Sequence, residues 1–199
     1  MNIRLAGLVL PLLWAGSLTA QQSARAESFG LAVNTATINQ KAPSATLPAE
    51  GGTTQVQSGD VTIGTLVTAL DAFATVSGSL DGVYSDAVSS ATLGSVSILN
   101  GLITADGVVA MATSTASNSN ADGSSLSNLV VGGVQISDPA PNTRVDLPGV
   151  GYAVLNEQIV ADGGITVNMI HVVLQQRTLL GVTVTTGNII VGSATSSVN

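Results

Sequence analysis

The chain has 199 residues, 45% hydrophobic but only 3% aromatic, and its five basic residues face twelve acidic ones for a net charge of −7. That balance excludes nucleic acid and anionic lipid as partners, since both are held through Lys and Arg clusters and none occurs here. With no cysteine and one histidine, disulfide staples are excluded and a zinc site of the usual composition is nearly so.

In chain order, the start reads as an export leader. Arg4 precedes an apolar run from Leu5 to Leu18, broken only by small residues and Pro11. A membrane span needs roughly 20 apolar residues, so the run is too short for one. Cleavage can follow Ala20, with Leu18 in an awkward position, or Ala26, where Ala24-Arg25-Ala26 supplies small residues at both required places. The second is favoured, making 1–26 the leader and 27–199 one domain. Loss of Arg4 and Arg25 leaves Lys41, Arg144 and Arg177 against twelve acids, a net charge of −9. The remaining chain is long enough for one core of ordinary size, built from Val, Leu, Ile, Ala and Thr. Side chains of that kind favour closely spaced sheets.

"FGLAVNTATI" alternates and is expected to place Phe29, Leu31 and Val33 on one face of a strand. The polar stretch 39–59, with two prolines and several glycines, reads as a long loop holding at most a short edge strand. In "VTIGTLVTALDAFATVSG", Leu66 to Phe73 fits two helical turns, whereas the flanking Thr and Val residues argue for strand. Asn100-Gly101 between two β-type runs predicts a hairpin. A second polar loop, 117–125, precedes "LSNLVVGGVQIS". In "PAPNTRVDLPGVGYAVLNEQ", the prolines impose an extended connection, Pro148-Gly149 suits a type II turn, and "RVDL" is a short strand with Arg144 and Asp146 on one side. Asp162-Gly163-Gly164 predicts a further hairpin, leading to "ITVNMIHVV" and the closing "GVTVTTGNIIVGSATSSV".

Recurring turn signals and the lack of long amphipathic helices predict an all-β fold, a single antiparallel, jelly-roll-like β-sandwich. A β-solenoid is the alternative, since residues 101–117 and 181–198 share a pattern of alternating apolar residues around a Gly turn.

Three groups could carry chemistry. Arg144, Asp146 and Glu157 could form a binding corner for a carboxylate, although charges beside prolines more often fix turns. Asn118, Asn120 and Asp122 alternate before Gly123 as at the start of a calcium loop, but Leu129 stands where the bidentate glutamate would come. His171 is expected to share a face with Ile165, Val167, Met169 and Val173, as a satisfied, partly buried imidazole. No Gly-x-Ser-x-Gly elbow accompanies it. Asp81 and Asp86 read as solvated acids rather than a glycosidase pair. "LPAEG" (47–51) and "LPGVG" (147–151) imitate sortase signals without the required threonine and read as turns.

Taken together, "SFGLAVN", "LNGLITADGVVAMA", "SLSNLVVGGVQI", "PAPNTRVDLPGVGYAVLNEQ", "GGITVNMIHVVL" and "GNIIVGSATSSV" resemble the choice-of-anchor P family, from Ser28 to Val198. The resemblance implies a secreted bacterial protein whose shared domain is followed, in different members, by different surface anchors, and it carries no catalytic residue. This chain departs from that pattern in having no anchor segment after its last predicted strand. The expectation is a non-catalytic surface or extracellular-matrix protein, not an enzyme, with a structural or adhesive role through self-association or an extracellular partner. It would stand at the cell surface, in the medium or in the periplasm, without a cofactor unless calcium binds. The alternative is a ligand-binding β-domain, using the Pro-rich corner for a protein or Thr-rich faces such as Thr183 and Thr185 for an ordered surface such as ice.

Overall fold

Small and β-branched residues alternate with polar ones over runs of eight to sixteen residues, and each run forms a strand. The computed structural model describes residues 23–80, 85–161 and 163–199. Its strands are β1 (Ala24–Thr35), β2 (Asn39–Thr46), β3 (Gly52–Ile63), β4 (Val67–Ser79), β5 (Asp86–Ile98), β6 (Ile103–Thr115), β7 (Ser119–Asn120) and β8 (Ser125–Leu126). These are followed by β9 (Leu129–Val131), β10 (Val134–Ile136), β11 (Thr143–Leu147), β12 (Gly151–Ala161), β13 (Gly164–Arg177) and β14 (Thr183–Val198). No helix long and apolar enough to cross a membrane occurs among the described residues.

The fold is all-β, two antiparallel sheets packed face to face. The 6-stranded sheet has the order β11-β12-β13-β14-β1-β2 and the 8-stranded sheet β10-β9-β6-β5-β4-β3, with β7 and β8 beside β6. The chain changes sheet only at β2 to β3 and at β10 to β11. The sheets are therefore built from meanders, not from the alternating strands of a jelly roll, and their antiparallel ladders exclude the solenoid. Both expected hairpins form. Ile98 pairs with Ile103 around Leu99, Asn100 and Gly101, all at positive φ, and Ala161 pairs with Gly164. Asp162 itself lies outside the described residues.

One expectation about local structure is corrected, and one that the sequence left open between helix and strand is decided for strand. Residues 39–59 do not form a loop: β2 and most of β3 occupy them, because Ala45 and Leu47 supply a buried apolar rank in an otherwise polar run. Residues 66–73 lie mainly in strand β4 with no helical turn, since Val67, Ala69, Ala72 and Ala74 all face the opposite sheet.

The interior changes character along the strands. At one end it holds Leu31, Ile63, Ile98, Ile103, Leu155, Ile170 and Ile189. Toward the other end, a smaller cluster of Ala26, Ala45, Ala74, Val76 and Ala87 joins buried serines. Ser28 donates to the Thr75 carbonyl (3.1 Å), and the Ser114 and Ser196 hydroxyls meet at 2.8 Å, each joining the two sheets. Hydroxyls span the sheets only where facing side chains are this small.

A transverse crease crosses both sheets between these two ends. In the 6-stranded sheet, Asn156, Met169, Gly192, Gly30 and Pro43 lie side by side between regular pairs. Asn156 and Gly192 have φ of 49° and 63°. In the other sheet, Asp71 (φ 52°) and Gly107 (φ 77°) flank Gly94. The two rows face each other, since a Cβ on Gly192 would lie 2.8 Å from Val108 Cγ1 and one on Gly30 3.5 Å from Ala72 Cβ. An irregular residue that falls between regular pairs, left-handed as at Asn156 and Gly192 or without positive φ as at Met169 and Gly30, reverses the facing of those beyond it. Thus Ile165 and Val167 point inward on one side of the crease, but Ile170 and Val172 on the other.

Two face assignments are corrected on that account. Phe29 stands on the outer surface, with Lys41 Nζ 5.0 Å from its ring centroid, while Leu31 and Val33 are in the core. His171 shares the outer face with Val173, not with Ile165, Val167 and Met169.

Candidate functional site

The crease brings polar side chains from β12, β13 and β14 together on the outer face of the 6-stranded sheet. Glu157 stands opposite Asn168, and Asn168 opposite Ser193. His171 and Asn188 reach in from the far side of the crease. The Ser193 hydroxyl donates to Asn168 Oδ1 (2.7 Å), and Asn168 Nδ2 donates to Glu157 Oε2 (2.6 Å). His171 Nδ1 lies 3.1 and 3.0 Å from the two Glu157 oxygens, and Nε2 lies 3.1 Å from Asn188 Oδ1. Asn168 and Ser193 are buried on this outer face, and the His171 and Glu157 side chains are 19% and 16% exposed.

The hydrogen bond to the Glu157 carboxylate raises the His171 pKa above its ordinary value of 6.5; burial opposes this, and the bond to Asn188 adds to it. The Glu157 pKa is lowered from 4.5, first by His171, then against burial by Asn168. An imidazolium donates from both ring nitrogens, to Glu157 and to Asn188 Oδ1. A neutral ring donating to Glu157 would instead need the Asn188 amide turned to present its NH2. The network thus favours the charged pair. Its chemistry is spent internally, for the ring nitrogens and the carboxylate point at each other, and Ser193 is turned toward Asn168, not toward the imidazole.

Glu157 is therefore separated by function from its expected companions. Arg144 and Asp146 do meet: Nε and Nη2 each lie 3.1 Å from Asp146 Oδ1, and the guanidinium carbon sits 3.8 Å from the Tyr152 ring centroid. The corner they form is exposed and tied by its own turn, where Val150 N donates to the Leu147 carbonyl (2.9 Å) and Gly149 takes φ 78°. Gly51 N donating to the Pro48 carbonyl (3.0 Å) closes the equivalent turn in "LPAEG".

The loop that carries Asn118, Asn120 and Asp122 is tied by its own hydrogen bonds. Asn120 Oδ1 accepts from Asp122 N (3.1 Å), and the Asn118 carbonyl accepts from Thr115 N (2.8 Å). Among the described residues no group of three or more His, Asp or Glu side chains gathers in metal-binding fashion. Asp81 lies outside the described residues, and Asp86 starts β5 opposite Ser79 and Thr115. Thr183 and Thr185 stand on the extension of the β13–β14 hairpin, opposite Arg177 and Gln175, rather than on a broad sheet face.

Sequence reading missed Glu157 and Asn188 as the partners of His171, and Asn168 and Ser193 as the residues that extend the network from Glu157. The signal lay in the glycines and asparagines at the crease, whose reversal of facing places these residues on one surface.

At its far end, the same sheet borders a hollow of about 840 Å³ where β1, β12, β13 and β14 finish, lined by Ala26, Leu47, Pro48, Leu80, Ile159 and Ile165 among others. Comparison of the chain with protein-family models, with curated proteins and with solved structures gave no match.

Proposed function

We propose that this chain is an exported, non-catalytic structural protein of the bacterial surface or extracellular matrix. The observation that carries this reading is the internal satisfaction of the one histidine, which bonds to Glu157 and Asn188 through its two ring nitrogens. Such a network fastens neighbouring strands and offers no free base to a substrate. The leader-like start, the acidic surface and the resemblance to choice-of-anchor P proteins support export.

The test is fractionation of cells producing the tagged protein, with the processed chain followed by mass. The expected result is a shortened chain outside the cytoplasm, in the medium or on the surface. A full-length chain confined to the cytosol would overturn the reading, as would hydrolytic turnover abolished by His171→Ala.

A further inference from the structure

Beyond Leu174 the β13–β14 hairpin leaves the sheet. The register shifts between Leu174 and Gln175, β1 stops at the Thr35–Gly187 pair, and β12 begins at the Gly151–Leu174 pair. Gln175–Thr185, Gln176–Val184 and Arg177–Thr183 continue as a two-stranded finger, tied at its base where Gln175 N donates to the Val150 carbonyl (2.7 Å). Its tip is built: Thr178 N donates to the Val182 carbonyl (2.8 Å), Gly181 N to the Thr178 carbonyl (2.9 Å), and Arg177 Nε to the Gly181 carbonyl (3.3 Å). These bonds settle the backbone and turn the apolar side chains out. Leu179 is 108% exposed and Leu180 91%, with Val182 and Val184 exposed beside them. Two adjacent leucines held in water on an ordered turn are an unpartnered docking element.

The hollow described above lies at the other pole. Finger and hollow terminate the same strands, and β14, with 16 residues, separates them by about 50 Å at roughly 3.3 Å per residue. Ile159 and Val160 extend the apolar character of this pole to the surface at 49% and 75% exposure. We propose that copies of the chain associate end to end, the leucine tip of one copy seating in the apolar hollow of the next. A knob and a socket on opposite poles of one molecule make a heterologous contact that propagates instead of closing.

The sheet edges argue for the poles over lateral pairing. β2 carries Pro43 and Lys41, β3 is broken by register shifts around Gly59, β10 has three residues, and β11 has five, flanked by Pro141 and Pro148. Prolines, charges, bulges and short strands blunt an edge against strand addition. A lipid surface is the less fitting occupant for the tip, because Arg177 is the sole Lys or Arg in residues 145–199 of an acidic chain.

The inference deepens the structural reading above and rests on it. Ser23 lines the hollow next to the expected leader, so the test uses the processed chain. In sedimentation across a concentration series, the wild-type mass is expected to grow past that of a dimer. The tip double variant Leu179→Asp/Leu180→Asp and the hollow double variant Ile159→Asp/Ala161→Asp should each stay monomeric, with circular dichroism unchanged because all four sites are exposed. Mixed together, the two variants should stop at a one-to-one pair, one supplying the tip and the other the hollow. A wild-type monomer at every concentration would overturn end-to-end association while leaving the extracellular role intact, since fractionation decides that separately. Growth of the hollow variant alone would overturn it in favour of tip-to-tip contact. Binding of a monomeric wild type to neutral phosphatidylcholine vesicles, lost only in the tip variant, would overturn it in favour of lipid.

Discussion

His171 and Glu157 face each other across β12 and β13, with Nδ1 within 3.1 Å of both carboxylate oxygens. The two residues are not directly paired in the ladder, where His171 stands opposite Val154 and Glu157 opposite Asn168. They meet because the crease at Asn156 and Met169 lies between them and puts both on the outer surface.

The pair gives stability a defined pH window. The His171 pKa is raised, so its contribution is complete below its unfolded value near 6.5 and is lost as pH rises through the folded value. The Glu157 pKa is lowered, so its contribution is complete above its unfolded value near 4.5 and is lost as pH falls through the folded value. Both are in force between those limits. Thermal unfolding followed from pH 4 to 8 should show extra stability centred between 4.5 and 6.5 that His171→Gln flattens, costing about 1.5 kcal/mol inside the window. An unchanged pH profile in the variant would show the pair to be energetically idle.

Gly192 tests the crease. Its φ is 63°, and a methyl group there would lie only 2.8 Å from Val108 Cγ1, so alanine is costly in two ways. Gly132 has nearly the same φ, 58°, with nothing within 4 Å, so alanine there meets only backbone strain. Denaturant unfolding should give a loss of about 1 kcal/mol for Gly132→Ala and at least about 2 kcal/mol for Gly192→Ala. Equal losses would mean that the sheets do not close tightly at the crease.

Much of the fold is legible in the sequence because its signals are local. Asn100-Gly101, Gly163 and Pro148-Gly149 mark turns by their own chemistry, and the Val, Ile and Thr runs announce strands. The faces are less legible. Alternation counted through Gly30 or Met169 assumes an unbroken pleat, and one residue that falls between regular pairs reverses every assignment beyond it. That is why simple alternation puts Phe29 beside Leu31 and His171 beside Val167. The edge strands β2 and β3 are hidden for another reason: pairing on one side leaves them polar, and they lack the apolar density that distinguishes β13. The partners of His171 come from β12 and β14, so only the strand order could unite them.

Ser89 probes the small-residue interior. Its side chain is fully buried on the inner face of β5, and its hydroxyl has no hydrogen-bond partner among the described residues. An unsatisfied buried hydroxyl costs on the order of 1 kcal/mol or more, and alanine differs from serine only by its removal. Ser89→Ala is therefore expected to raise the unfolding free energy by about 1 kcal/mol, measured by denaturant titration. Ser114→Ala is the contrast, because it breaks the bonds to Ser119 and Ser196 and should destabilise. A loss in Ser89→Ala equal to that of Ser114→Ala would show that the Ser89 hydroxyl is bonded in solution.

The start of β1 bears on where the proposed leader would be removed. Ala24, Arg25 and Ala26 pair with Val198, Ser197 and Ser196, and Ser23 exchanges backbone bonds of 2.7 and 2.9 Å with Asn199. Ala26 is buried against Ala45, Leu47 and Val198, and its carbonyl accepts from Leu47 N. Cleavage after Ala26 would remove this whole length of ladder and leave the end of β14 paired only with β13. Cleavage after Ala20 keeps it, and it is the outcome expected here although the small residues at Ala24 and Ala26 suit the other site. Amino-terminal sequencing of the exported protein should begin at Gln21. A start at Glu27 would overturn this, and a chain made to begin there should unfold at a free energy lower by about 2 kcal/mol, from the lost hydrogen bonds and apolar contact.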